Sequence, residues 1–195
     1  MSSLAHHLES QQLKYIRTRE PGGTPLGDQI RELILAHSYD HAPCARAELL
    51  LYEASRAQHV EKVIRPALNN KQWILCDRFS ASSVAFQGGG REISVDDVVL
   101  LNEFATAKLQ PHLTVLLDLS VEASQNRRQQ RSSVTGQKED RIESEKNEFH
   151  ERVRQSFLTQ ARLAPEHWLV LDANKSQEEL FQELLQTIKG RQWLK

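Results

Sequence analysis

The sequence lacks the features that would tie it to an oxidising compartment, a membrane or a polyanion. Its 195 residues include two cysteines, Cys44 and Cys76, with no C-x-x-C spacing. A disulfide framework and a cysteine-rich metal site are thereby excluded, and both cysteines read as unpaired thiols. There is no signal-peptide core and no apolar run long enough to span a bilayer. Neither sign of charge dominates: 25 Lys and Arg face 26 Asp and Glu, a formal net charge of -1. Without a global field to steer it onto nucleic acid or an anionic membrane, any anion site has to be local. With 39% hydrophobic residues, the chain is large enough for one good core, and no linker, repeat or low-complexity stretch marks a boundary within 1–195. These features predict a reduced, cytoplasmic, single-domain globular protein.

Apolar runs of strand length occur at 13–18 (LKYIRT), 72–77 (QWILCD), 113–119 (LTVLLDL) and 167–172 (HWLVLD). Between them lie segments with helical spacing at 2–10, 26–37, 44–68, 95–107, 120–131, 144–163 and 176–189. Strands alternating with helices predict an α/β fold with a parallel sheet and helices on both of its faces, a three-layer arrangement. Ser94 with Asp97 and Ser176 with Glu179 have the spacing of capping boxes. The polar stretch 132–141 (SSVTGQKEDR) predicts an exposed loop or lid.

Four strings carry chemistry. In CDRFSASSVAFQGGGR (76–91), Asp77 and Arg78 stand at the carboxyl end of a strand, the edge of an open α/β sheet where ligands bind. An Asp there can organise Mg²⁺ and an Arg can grip a phosphate; a structural Asp–Arg pair is the alternative. Ser82, Ser83 and Gln87 offer groups suited to the edge of a base, Phe86 a flat face, and Gly88–Gly90 a backbone able to approach a ligand closely. TREPGGTPLG (18–27) follows another strand and suits either a pocket wall or an ordinary strand-to-helix turn. In ELLLYEASRAQHV (48–60), Tyr52 and Arg56 are four apart and share a helix face, able to stack a base and hold a phosphate or simply to pack. NRRQQRSSVTGQKEDRIESE (126–145) gathers Arg127, Arg128, Arg131, Lys138 and Arg141 around the predicted lid, with Asp140 and Glu143 among them. Such arginines can close over a transferring phosphoryl group or form a solvated helix end. The interleaved acids and the absence of an aromatic platform argue against nucleic acid as a partner.

TREPGGTPLG, DRFSASSVAFQGGGR and DRIESEKNEFHERVR, in this order, resemble the signatures of bacterial thymidylate kinase, from about Leu4 to the carboxyl end. The resemblance implies a P-loop kinase-like fold with a five-stranded sheet, phosphorylation of dTMP by ATP with Mg²⁺, a LID segment over 127–141, and a homodimer. It places Tyr52 on the thymine ring, and Arg56 and Arg78 near the dTMP phosphate and base. Ser83 takes the place of the residue that reads thymine, Phe86 and Gln87 lie on the same pocket wall, and Glu20 and Pro21 on the loop of the monophosphate site. Asp77 becomes the acidic partner of Mg²⁺, and Arg127, Arg128 and Arg131 the arginines over the ATP phosphates, with Arg78, Arg128 and Arg131 acting in the transfer itself. Phe79 departs from the Tyr or His common after Asp-Arg.

The larger departure is at the amino terminus. No G-x-x-x-x-G-K-[ST] string occurs, although family members carry one, together with a first, central strand, ahead of the position of Leu4. Residues 2–10 (SSLAHHLES) resemble the helix that this loop would cap, so the expectation is a chain that starts downstream of its phosphate loop, through start assignment, truncation or real loss. The chain from Met1 is accordingly expected not to transfer phosphate, and a non-catalytic nucleotide-binding relative is the alternative function.

Overall fold

In a computed structural model, residues 1–35, 42–136 and 139–194 are described. The four predicted strands form, each within two residues of its expected limits: β1 (Tyr15–Arg19), β2 (Trp73–Asp77), β3 (Thr114–Asp118) and β4 (Trp168–Asp172). They pair as two parallel ribbons, β1 with β2 from Tyr15↔Trp73 to Arg19↔Asp77, and β3 with β4 from Thr114↔Trp168 to Asp118↔Asp172. Each strand is five residues long.

The described chain falls into two compact units, 1–110 with 139–156 and 111–138 with 157–195. In the first, helices α1 (Ser2–Ser10), α2 (Pro25–Leu35), α3 (Ala45–His59), α4 (Arg65–Asn69), α5 (Ser80–Ser83) and α6 (Val95–Thr106) accompany β1 and β2. Its core includes Leu8, Ile34, Leu49, Val60, Leu75, Val98 and Phe149, all buried. Full burial of each aliphatic side chain contributes about 1.5–3 kcal/mol before entropy is counted. The second contains β3, β4, α7 (Val121–Thr135) and α9 (Gln177–Gly190) around Leu171, Leu185, Ile188 and Leu194. Helix α8 (Asn147–Leu163) contributes to both.

Several local expectations are corrected. The predicted helix over 44–68 is α3 and α4 joined by a π-helical turn, Val60–Ile64. A second π-helical segment, Val84–Gly90, continues α5. Two of its glycines are taken up by packing: a Cβ on Gly90 would lie 2.5 Å from Phe149 Cε2, and one on Gly89 2.7 Å from Ser156 Cβ, so bare backbone lets α8 approach. The loop read over 132–141 is helical as far as Thr135, and α7 ends at Gly136 with φ +68. Ser176 and Glu179 form their capping box, but Ser94 makes no side-chain cap bond; Ser120 instead caps α7 by accepting from Ala123 N–H. The expected helix over 144–163 starts at Asn147, because Asp140 Oδ1 accepts from the N–H groups of Ile142 (2.9 Å) and Glu143 (2.8 Å) and makes 140–145 a turn. Residues 36 and 37 of the predicted second helix, and Lys138, lie outside the described residues.

Candidate functional site

The turn after β1 is built on α3. Glu20 N–H donates to the Asp77 carbonyl (2.9 Å), tying the turn to the end of β2, and the Glu20–Pro21 peptide is cis. Arg31 Nη1 donates to the Pro21 carbonyl (3.1 Å), Gly22 N–H to Ser55 Oγ (3.1 Å), and Gly27 N–H to Thr24 Oγ1 (3.0 Å). Gly23, at φ +78, lies flat on His59: a Cβ there would come within 2.9 Å of both the imidazole and Thr18 Oγ1. The stretch read as a candidate pocket wall is therefore a fixed turn seated on polar side chains of α3.

Those side chains form a buried network. Arg56, 1% exposed, donates from Nε to Glu20 Oε2 (2.8 Å). Its Nη1 lies 2.5 Å from Glu53 Oε1, 2.8 Å from Ser83 Oγ and 2.8 Å from Asn102 Oδ1. His59 Nδ1 meets Glu20 Oε1 at 2.9 Å, and its Nε2 meets Thr18 Oγ1 at 2.6 Å. Burial pushes the Arg56 guanidinium toward losing its proton, but the charges of Glu20 and Glu53 outweigh it and hold Arg56 cationic. Its Nη2 is the guanidinium nitrogen left without a hydrogen bond among the described residues. Tyr52, one turn before Arg56, has its phenol pushed up to about 12, first by burial and then by the charge of Glu48, so the ring is neutral at any physiological pH.

At the end of β2, Asp77 and Arg78 are exposed. Arg78 adopts φ +65, and its guanidinium lies over the Phe86 ring, 4.8 Å from the centroid, which fixes the orientation of an otherwise mobile side chain. Phe79 turns inward and places its ring 5.6 Å from the Arg56 guanidinium carbon. Gln87 is buried and donates from Nε2 to Glu48 Oε1 (2.9 Å). Cys76 is half-buried and donates from Sγ to the Arg78 carbonyl (3.0 Å), and burial pushes its thiol far above the ordinary range, leaving it protonated and inert. The fold thus brings Glu20, Pro21, Tyr52, Arg56, Asp77, Arg78, Ser83, Phe86 and Gln87 together within one unit.

The predicted lid arginines divide differently. Arg127, Arg128 and Arg131 lie on α7 in the other unit; Arg127 Nη2 donates to the Ala173 carbonyl (2.8 Å), and Arg128 Nη1 to Ser124 Oγ (2.9 Å). Arg141 belongs to the unit of Glu20 and Arg56, where it donates from Nη2 to Glu48 Oε2 (2.5 Å) and from Nε to the Ile34 carbonyl (3.0 Å).

The arrangement invites comparison with proteins that handle nucleoside monophosphates. Residues 1–184 match the family model described as Thymidylate kinase. A thymidylate kinase from Bdellovibrio bacteriovorus is 59% identical over 194 residues, covering 100% of this chain and 90% of that protein. One from Fervidobacterium nodosum is 42% identical, covering 96% of this chain and 89% of that one. The chain belongs to the thymidylate kinase family. Among solved structures, the thymidylate kinase from Ehrlichia chaffeensis superposes with a TM-score of 0.71 at 28% identity, covering 94% of this chain and 89% of that one. The α/β fold with parallel strands is accordingly that of the family.

Within this thymidylate kinase family chain, sequence reasoning missed Glu48, Glu53, His59 and Asn102, which supply much of the buried polar network. A signal for three of them was present. Glu48, Tyr52, Ser55, Arg56 and His59 recur at i, i+4, i+7, i+8 and i+11, the spacing of a core-facing helix stripe, here filled with polar and charged groups. Glu53, three residues before Arg56, is a one-turn ion-pair partner. A helix that turns such a stripe inward is a helix organised around a ligand or a buried network.

Proposed function

We propose that the chain phosphorylates dTMP to dTDP with ATP as donor, holding dTMP in the unit that contains Glu20 and Arg56. The family match over residues 1–184 carries this reading. The geometry supports it through Arg56, whose guanidinium is pinned by Glu20, Glu53, Ser83 and Asn102 while Nη2 is left over. A donor that is already desolvated and oriented loses little on binding, so it serves an acceptor of the nucleotide well. Tyr52 supplies a neutral ring to stack on thymine, Ser83 a hydroxyl beside Arg56, and Arg78 an exposed cation steadied by Phe86 for the phosphate. Glu20 and Pro21 shape the wall of this site, and Gln87 braces it through Glu48.

Among the described residues no group of three His, Cys, Asp or Glu side chains is placed to hold a metal ion. That fits Mg²⁺ carried in by nucleotide phosphates, with exposed Asp77 as its protein carboxylate; bound there, it neutralises phosphate charge. Arg127, Arg128 and Arg131 would serve the ATP phosphates, and Arg128 and Arg131 the charge that spreads during transfer. The outer face of α6, opposite buried Val98, Asn102 and Ala105, presents Val99, Leu100 and Phe104, the last 84% exposed. A second copy of the chain is the occupant we infer for this face, giving a homodimer. Two free cysteines suit a reducing cytoplasm, and among the described residues no helix is long and apolar enough to cross a membrane.

Conversion of dTMP to dTDP by ATP and Mg²⁺ tests the proposal. In the active form, Arg78→Ala should weaken kcat/KM for dTMP by about 2–5 kcal/mol, as removal of a charged phosphate partner does. Replacing Arg128 and Arg131 by Ala should lower kcat more than it alters KM for dTMP. An Arg78→Ala enzyme with unchanged kcat/KM contradicts the assignment.

A further inference from the structure

Arg78 is held by its surroundings against its own backbone preference. It sits at φ +65, a left-handed conformation that is strained for a residue with a Cβ, and such strain collects where a side chain has to be aimed. The Cys76 thiol fixes the backbone by donating to the Arg78 carbonyl (3.0 Å). Among the described residues, the exposed guanidinium meets the Phe86 ring, 4.8 Å from its centroid, and no carboxylate. A cation that the fold orients without neutralising is suited to an anion from outside.

An exposed guanidinium resting on a ring is only as steady as the ring. Phe86 packs against Phe149 of α8, with centroids 6.2 Å apart and planes at 58°, inside the favourable range for an aromatic pair. Phe149 is itself 4% exposed and gripped from two directions. The Arg91 guanidinium lies 4.8 Å from its centroid, and Gly90 is so close that a Cβ there would come within 2.5 Å of Phe149 Cε2. Arg91 is anchored in turn by Glu48, 3.2 Å from Nε and from Nη2, and by Glu145, 2.5 Å from Nη1. A continuous row thus runs from the buried Glu48 carboxylate through Arg91, Phe149 and Phe86 to Arg78. We propose that Phe149 is a positioning residue for the substrate's phosphate: it fixes the Phe86 ring and, through that ring, the Arg78 guanidinium that meets the phosphate. This rests on the dTMP reading above.

The choice of ligand separates this role from a structural one. Acting through Phe86 and Arg78, Phe149 matters to a ligand that carries a phosphate and not to one that lacks it. A residue that merely fills the core affects both ligands alike. The effect also vanishes once Arg78 is gone, because two residues in one chain of contacts are not additive.

Calorimetric titration of the full chain with dTMP and with thymidine, the same nucleoside without its phosphate, tests the proposal. Phe149→Leu removes the ring but keeps an apolar side chain; it should bind dTMP about 5-fold more weakly, and thymidine within about 2-fold of the parent. In an Arg78→Ala background the same change should alter dTMP affinity by less than about 2-fold. Gly90→Ala, whose Cβ displaces the Phe149 ring without removing it, should repeat the pattern and carries the test should Phe149→Leu fail to fold. In the parent without ligand, the protons on Arg78 Cδ should resonate upfield of their ordinary position, shifted by the Phe86 ring. Unchanged dTMP affinity, equal losses for dTMP and thymidine, a dTMP loss that persists in the Arg78→Ala background, or Arg78 Cδ protons at their ordinary shift would each overturn the assignment. A parent chain that binds neither ligand contradicts the dTMP reading instead, and the Arg78 proton shift then still tests the row of contacts.

Discussion

Glu48 shows how single residues organise this chain. It is fully buried, yet it accepts from Gln87 Nε2, from Arg91 Nε and Nη2 at 3.2 Å each, and from Arg141 Nη2. Burial pushes its carboxyl up, but these donors together outweigh that effect and hold it below the ordinary range. Its stabilising contribution is therefore fully present above the usual carboxylate value near 4.5 and is lost as pH falls through the lower folded value. Glu48→Gln leaves Arg91 and Arg141 without their common charge and should cost about 3–5 kcal/mol at neutral pH. Denaturant melts should show this difference shrinking as pH falls through the lowered folded value of Glu48, where the parent's carboxyl becomes neutral too. A gap of constant size across that range would contradict the role. The donors that meet Glu48 were not apparent in the sequence, which shows only its place on a stripe with Tyr52 and Arg56; those two stood out because an aromatic and a guanidinium four apart suggest a ligand. Arg78 and Asp77 were legible for a different reason, their place at a strand end, and that place depends only on the length of the apolar run before them.

At the scale of elements, the apolar pattern sufficed wherever period and boundary agreed. All four strands form on the apolar runs, and Ser176 caps α9 by accepting from the Glu179 N–H while the Glu179 carboxylate reaches back to the Ser176 N–H (2.9 Å). Failures occurred where packing overrode local chemistry. The π-helical segment Val84–Gly90 holds three glycines that would favour a turn, but contact with Phe149 and Ser156 keeps it helical. Ser94 and Asp97 had the right spacing and the wrong local geometry for a cap. Helix α6 carries an element-scale prediction. Its buried side is satisfied by Val98, Asn102 and Ala105, so the apolar residues on the far side gain nothing from the fold of one copy. Phe104→Glu should leave the melting temperature of dilute protein nearly unchanged or raised, and shift the sedimenting species from dimer to monomer. A parent chain that sediments as a monomer would contradict the inference of a self-associating face.

At the scale of the whole molecule, the chain spans about nine-tenths of the length of the Bdellovibrio and Fervidobacterium relatives, and the resemblance visible in three short strings extends over residues 1–184. The strings were legible because turn formers, charges and rings coincide in them within a few residues. The partners of the polar stripe of α3 were not, since they come from far along the chain, as Ser83 and Asn102 do for Arg56 and Arg141 for Glu48. The central claim is that dTMP is bound by the turn 18–27, the α3 stripe and the segment 77–91 acting as one preformed site. Hydrogen exchange of backbone amides with and without saturating dTMP tests it most directly. Slowed exchange concentrated in 18–27, 48–60 and 77–91, with β3 and β4 little changed, is the predicted result; protection confined to β3, β4 and α9, or no protection under conditions where dTMP is bound, would contradict the account.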